Sequence, residues 1–376
     1  MWGMFVVRDT FFVSEHIPQY AVLNVHDEAE RLQDGALQWL LGMQKENGLF
    51  HYQLNPRSGA YSSENNELRQ LMASRVLARA AVRDTAYHDA HRRNLHFIFA
   101  NWYLEEAGRG YVVYDGKSKL GSNAMLLRAL VESPFFDEYA AQANKTAEGL
   151  LYLMREDGSF KAWLKEPGYA YDEDYLLTFY SGEALLALME YADKTNDERI
   201  ITQVQHSADF YVQRYVTEMD VHYYPAYVPW MTMALERLFI TTGEHKYSDA
   251  IFAMNDKLLE MQDTTRYVGR FYNPNTPEYG TPHSSSDAVY TEGLIHAWNV
   301  ARTVGDTERE KTYFTAITKA LGNLATLQYR EQVPGYAVPQ VMYLGAIRIN
   351  ADTRSVRIDC AQHLIDALEY LLAVGV

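Results

Sequence analysis

Apolar residues recur at helical spacing along most of the chain. Between residues 247 and 261, Tyr247, Ala250, Ile251, Met254, Leu258 and Met261 fall on one face, while Asp249, Asp256, Lys257 and Glu260 fall on the other. That is the pattern of a helix covered on one side only. Residues 313–327 repeat it with Tyr313, Phe314, Ile317, Ala320, Leu321, Leu324 and Leu327. A second kind of segment is apolar nearly all round: 184–189, 289–300 and 361–372. These predict helices buried on most sides. The two kinds alternate, and the predicted pairs are 28–44 with 64–82, 86–103 with 120–132, 135–154 with 179–193, 197–217 with 226–242, 246–262 with 287–303, and 308–329 with 358–374.

A turn with a glycine next to an aromatic returns roughly every 50–65 residues, and such regular return is the mark of a repeat architecture. The turns are Asn47-Gly48-Leu49-Phe50, Gly108-Arg109-Gly110-Tyr111, Asp157-Gly158-Ser159-Phe160, His222-Tyr223-Tyr224, Gly269-Arg270-Phe271 and Gly335-Tyr336. The one-sided helices open with start signals: Ser133-Pro134, which predicts Pro at the first helical position, and the capping boxes Thr195-Asn196-Asp197-Glu198 and Thr307-Glu308-Arg309-Glu310. Loops before the all-apolar helices are longer and aromatic. Short loops at one rim and long, varied loops at the other predict a ring with one functional mouth.

This alternation resembles the (α/α)6 toroid of the six-hairpin glycosidase superfamily, which includes glycoside hydrolases, unsaturated-uronyl hydrolases, alginate and heparin lyases and N-acylglucosamine 2-epimerases. The resemblance implies an all-α fold of six helical hairpins with short β-like turns at the mouth. It spans the chain, so residues 1–376 are expected to form one domain, with an irregular segment at 1–27 packed on the ring. It is architectural and selects no single family.

Composition narrows the partners. A formal net charge of −15 argues against nucleic acid and anionic membranes. The single cysteine, Cys360, excludes an internal disulfide framework, and no stretch has the length and apolarity of a membrane span. A cytoplasmic location is expected, an export signal removed beforehand being the other case; a homo-oligomer is compatible. Tyrosine is abundant, with 29 Tyr beside 15 Phe and 6 Trp. Aromatic clefts suit sugars, whose C–H faces stack on rings, although helical hairpins also use such rings as wedges.

The candidate chemistry lies where inner helices begin. Glycoside hydrolysis needs two carboxyl groups whose environments hold them in different protonation states. The candidates are Glu183, Asp287, Glu292 and Asp359, each of which also serves as an ordinary helix-start carboxylate. Arg357, Asp359 and His363 stand at i, i+2 and i+6 before an apolar helix, so Asp359 and His363 share a face. The 2-epimerases of the superfamily use histidines near the ring core, which implies His363, with His296, as bases. The binding surface is expected from Asn66, Arg69, Asn123, Asp174, Tyr180, Tyr227, Trp230, Tyr290 and Arg357. A lyase would draw its acid or base from those tyrosines. No phosphate loop, dinucleotide fingerprint or zinc ligand set is present, so neither cofactor nor metal is expected. The leading expectation is a glycoside hydrolase acting on a saccharide, with an epimerase or lyase as alternative, and a non-catalytic glycan- or peptide-binding toroid from a different class.

Overall fold

The computed structural model describes residues 24–375. Twelve helices form two concentric layers. The outer layer holds α1 (Val25–Gly42), α3 (His88–Asn101), α5 (Ala140–Tyr152), α7 (Glu198–Val212), α9 (His245–Leu259) and α11 (Thr307–Leu327). The inner layer holds α2 (Glu67–Arg83), α4 (Leu120–Val131), α6 (Glu173–Thr195), α8 (Tyr227–Thr242), α10 (Ser284–Val304) and α12 (Ile358–Ala373). Each inner helix packs on the next, and α12 packs back on α2, so the ring closes. Closure is reinforced by strand pairing: β1 (Gln53–Asn55) lies between β2 (Ala60–Tyr61) and β3 (Val356–Arg357), both antiparallel. The architecture is the expected all-α toroid. Inner helices are apolar all round because they meet neighbours on every side: all twelve residues of α4 are buried.

Four expectations are corrected in detail. Residues 25–27 belong to α1, so the irregular segment cannot extend that far, and residues 1–23 lie outside the described residues. The expected pairs joined each outer helix to the inner helix after the long turn, but the tighter packing is with the inner helix before it, and α1 packs on α12. The caps are aspartates: Asp197 accepts from the N–H groups of Arg199 and Ile200, and Asp306 from that of Arg309, leaving Thr195 and Thr307 inside helices. Ser133 accepts from the Phe135 N–H in a turn, and α5 starts only at Ala140.

The repeated turns stitch the outer layer. A bridge joins Gln44 to Phe50, Met154 to Phe160, Gln262 to Phe271 and Gln328 to Ile347. The intervening glycines Gly48, Gly158, Gly269 and Gly345 all have positive φ and sit on the backbone of the next outer helix, at Arg93, His206, Lys319 and Gly35. The sixth turn is therefore Gly345-Ala346-Ile347 and not Gly335-Tyr336. Three glutamines complete the stitch: Gln44 donates to the carbonyl of Ala90 (3.0 Å), Gln262 to Ala316 (2.9 Å) and Gln328 to Leu32 (3.0 Å). The fourth turn lacks glycine and is replaced by a π-helical turn, Gln213–Thr217, and a short helix, Met219–His222.

A test follows. At Gly269, with φ +96°, a Cβ would overlap the Lys319 carbonyl, whereas Gly243, with φ +72°, has nothing within 4 Å. Gly243→Ala should cost roughly 1 kcal/mol from backbone strain alone. Gly269→Ala should cost more than about 3 kcal/mol, because overpacking adds to strain. Urea unfolding of both variants measures the difference, and equal losses would refute the stitching role. Among the described residues no helix is long and apolar enough to cross a membrane.

Candidate active site

The inner helices all begin at one rim, and their N-terminal halves enclose a cavity of about 460 Å³. Its wall takes Asn66 and Arg69 from the start of α2, Tyr180 and Glu183 from α6, Trp230 from α8, Tyr290 from α10, and Arg357, Asp359 and His363 from the start of α12. These nine expected residues, drawn from five helices, converge as a closed ring requires.

Five others do not line it. Asn123 is fully buried and accepts from the Val112 N–H (2.7 Å). Asp287 does the same for the Phe271 N–H (2.8 Å) and also accepts from Asn323 (2.9 Å). Both tie a repeat turn to its inner helix. Burial pushes the Asp287 carboxyl up to about 7, against the Phe271 N–H, which lowers it. Tyr227 stacks on Tyr215, with ring centroids 4.0 Å apart, and donates to the Tyr215 carbonyl (3.0 Å), so it is core and not platform. Asp174 is exposed and pairs with Arg214 (3.1 Å). Glu292 is buried behind the wall. His296 is also outside: it is paired with Glu236 and stacked on Tyr370 at 3.7 Å.

Three arrangements define the chemistry. The first is Glu183, whose side chain is buried with Oε2 lacking a hydrogen-bond partner. Burial pushes its carboxyl up to about 8; Arg128 and Lys119 oppose this only in part. Room for it is made by Gly121 on α4, where a Cβ would overlap Glu183 Oε2 and the Tyr180 ring. The second is Asp359. Its Oδ1 accepts from Arg357 Nε (2.7 Å) and its Oδ2 from Arg357 Nη2 (2.7 Å), and Arg69 Nε forms an ion pair with Oδ2 (2.9 Å). Burial alone would raise its pKa, but Arg69 and Arg357 outweigh that and hold it at about 2. Both oxygens are occupied, which makes it a poor nucleophile.

The third is His363. Its Nδ1 lies 3.3 Å from Glu292 Oε2, and the Trp230 ring meets it edge-on at 5.7 Å. A buried carboxylate at Nδ1 fixes the tautomer that carries its hydrogen there and leaves Nε2 to take up a proton. Glu292 thus acts through His363. Gln362, next along the helix, donates to the Arg69 carbonyl (2.7 Å) and locks α12 to α2.

Sequence reasoning missed His283, the N-cap of α10, whose Nδ1 accepts from the Ser285 N–H (3.0 Å). Its Nε2 is 2.7 Å from Arg357 Nη2, and burial pushes its pKa down to about 4. The signal was present: His283 stands where Ser or Asp is usual, before Ser284-Ser285-Ser286. Lys119, also on the wall, pairs with Glu67 (2.8 Å). An aromatic rim at the starts of α6, α8 and α10 was missed as well. Tyr224 meets Tyr175 at 5.5 Å and Tyr279 at 6.0 Å, both edge-on.

Fold and cavity together define an (α/α)6 toroid with a polar, aromatic-rimmed basin at its mouth. No protein-family model matches the sequence, and no curated protein matches it. Solved structures do share the fold. A D-mannose isomerase superposes with a TM-score of 0.69 at 12% identity, covering 94% of this chain and 100% of its own. A cellobiose 2-epimerase from Spirochaeta thermophila gives 0.67 at 13%, covering 93% and 96%. An unsaturated glucuronyl hydrolase specific for heparin gives 0.65 at 10%, covering 93% and 98%. At these identities the likeness establishes the fold.

Proposed function

We propose that this chain is a carbohydrate-active enzyme that transfers protons on a free sugar, as an isomerase or 2-epimerase does. The observation that carries the reading is the His363–Glu292 pair, with Nε2 of His363 available at a cavity that also holds the protonated carboxyl of Glu183. In the proposed step Nε2 takes the proton from the carbon next to the sugar carbonyl. The electron pair moves into a new C=C bond, and the carbonyl oxygen takes the Glu183 proton. Delivery of the His363 proton to the former carbonyl carbon, with transfer of the neighbouring hydroxyl's proton to Glu183, gives the isomer and restores both groups. Trp230 and the tyrosine rim supply faces for the sugar. The fold shared with a D-mannose isomerase and a cellobiose 2-epimerase supports the same reading.

Glycoside hydrolysis is the second reading, and the raised pKa of Glu183, suited to a proton donor, favours it. The expected carboxylate pair does not support it: Asp287 and Glu292 are outside the wall, and Asp359 has both oxygens bonded.

Deuterium separates the two. The protein is incubated in D₂O with a panel of aldoses, ketoses and reducing disaccharides, and in parallel with aryl glycosides. The expected result is deuterium at C2 with formation of an isomer and no aglycone release. Cleaved glycosides without exchange in any sugar would overturn the reading.

A further inference from the structure

The cavity wall is richest in hydrogen-bond donors where α2, α10 and α12 begin. A guanidinium carries five N–H donors and no acceptor. Among the described residues, the acceptors that Arg69 and Arg357 meet through hydrogen are Asp359 and the Tyr52 hydroxyl. Most of their N–H groups remain unmatched. His283 adds to the surplus. Its Nδ1 already accepts from the Ser285 N–H, so in the neutral ring the hydrogen sits on Nε2. That Nε2–H lies 2.7 Å from Arg357 Nη2, another donor. Two donors so close are unfavourable alone and favourable around a shared acceptor. The N-termini of α10 and α12, which begin just after His283 and Arg357, add positive potential at the same place. The single carboxylate there, Asp359, is already saturated. All this stands in a chain of net charge −15.

We infer that Arg69, Arg357 and His283 form a subsite for a carboxylate on the sugar, so that the preferred substrates are acidic saccharides such as uronic acids. A planar carboxylate suits the paired N–H groups of a guanidinium and accepts from His283 Nε2 as well. Asp359 is the positioning residue that holds the two guanidinium groups side by side. The inference deepens the proposed function and rests on its assignment of the cavity to a sugar.

The test is a binding comparison that needs no turnover. Titration calorimetry at low salt compares glucuronate, glucose, glucose 6-sulfate and acetate. Glucuronate should bind about tenfold or more tighter than glucose, as charged hydrogen bonds give, and the preference should shrink as salt rises. Arg357→Gln and His283→Ala should each cut the preference, weakening glucuronate by a larger factor than glucose; circular dichroism confirms that they fold. His363→Gln should leave the preference intact. Glucuronate binding no tighter than glucose, including no binding of either, would overturn the inference. So would a preference that survives Arg357→Gln, tighter binding of the sulfate, or acetate matching glucuronate. Exchange at C2 of neutral sugars alone would overturn the inference and spare the proposed function. A glucuronate preference without exchange in any sugar would do the reverse.

Discussion

His363→Gln is expected to lower turnover by a factor of about 10² to 10⁴, the usual contribution of a positioned general base. The protein should stay folded. A glutamine amide can still donate to Glu292, so no buried carboxylate is left bare, and the stability loss should stay near 1 kcal/mol. The expected signature is a fall in kcat with little change in KM, because the proton transfer exists only in the transition state. Glu292→Gln should lose less, since it removes the orienting group and keeps the base. Steady-state kinetics, C2 deuterium exchange and thermal melting measure all three. Full exchange in His363→Gln would remove this residue from the chemistry and leave Trp230 and the rim as a binding surface only.

Glu183→Gln is the second large effect, and its pH dependence gives it a readout that mere structural damage does not. The native carboxyl, held near 8, is protonated at neutral pH, so turnover that needs its proton should fall above about pH 8. The variant should lose most turnover at every pH and with it that alkaline limb. Stability gives an independent reading. The unfolded chain titrates this group near 4.5 and the folded one near 8, so between those values the folded state binds more protons. Stability contributed by the group is complete below pH 4.5 and is lost as pH rises through 8. Glutamine has no such term. Its own buried amide costs the same at each pH. The variant should therefore gain stability relative to the native protein on going from pH 5 to pH 8, read as the change in melting-temperature difference. A difference independent of pH would show that Glu183 titrates normally, and it would no longer serve as the acid.

Much of the frame was legible. Helical period alone separated one-sided outer helices from inner ones, because burial on one face and burial all round leave different patterns. Glycine beside an aromatic marked the stitching turns wherever the glycine sits on the next outer helix, as at Gly48, Gly158 and Gly269. The same rule failed at Gly335, where the aromatic is present but the backbone contact belongs to Gly345. The site was half legible. His363, Asp359 and Arg357 sit at the start of an inner helix and do line the mouth, as does Glu183, which lies deeper, in the third turn of α6. Asp287 and Asn123 occupy equivalent starts, yet they turn to the repeat's backbone and cap Phe271 and Val112. Residue type and position are identical signals for both roles. Only the partner differs, and the partner comes from another segment. His283 was overlooked because its neighbour Arg357 is distant in the chain and meets it only where α10 packs on α12.

The order of amino acids determined the period of the helices, their alternation between two layers and the rim at which polar side chains collect, since each depends on neighbours within a turn or two. The tertiary structure decided which polar groups share the basin. It set the burial that keeps Glu183 protonated, the two arginines that keep Asp359 ionised and the carboxylate behind His363. Except for Arg357 beside Asp359, those effects act across a few ångströms between helices far apart in the chain. The Arg69–Asp359 contact exists only once α12 has closed on α2.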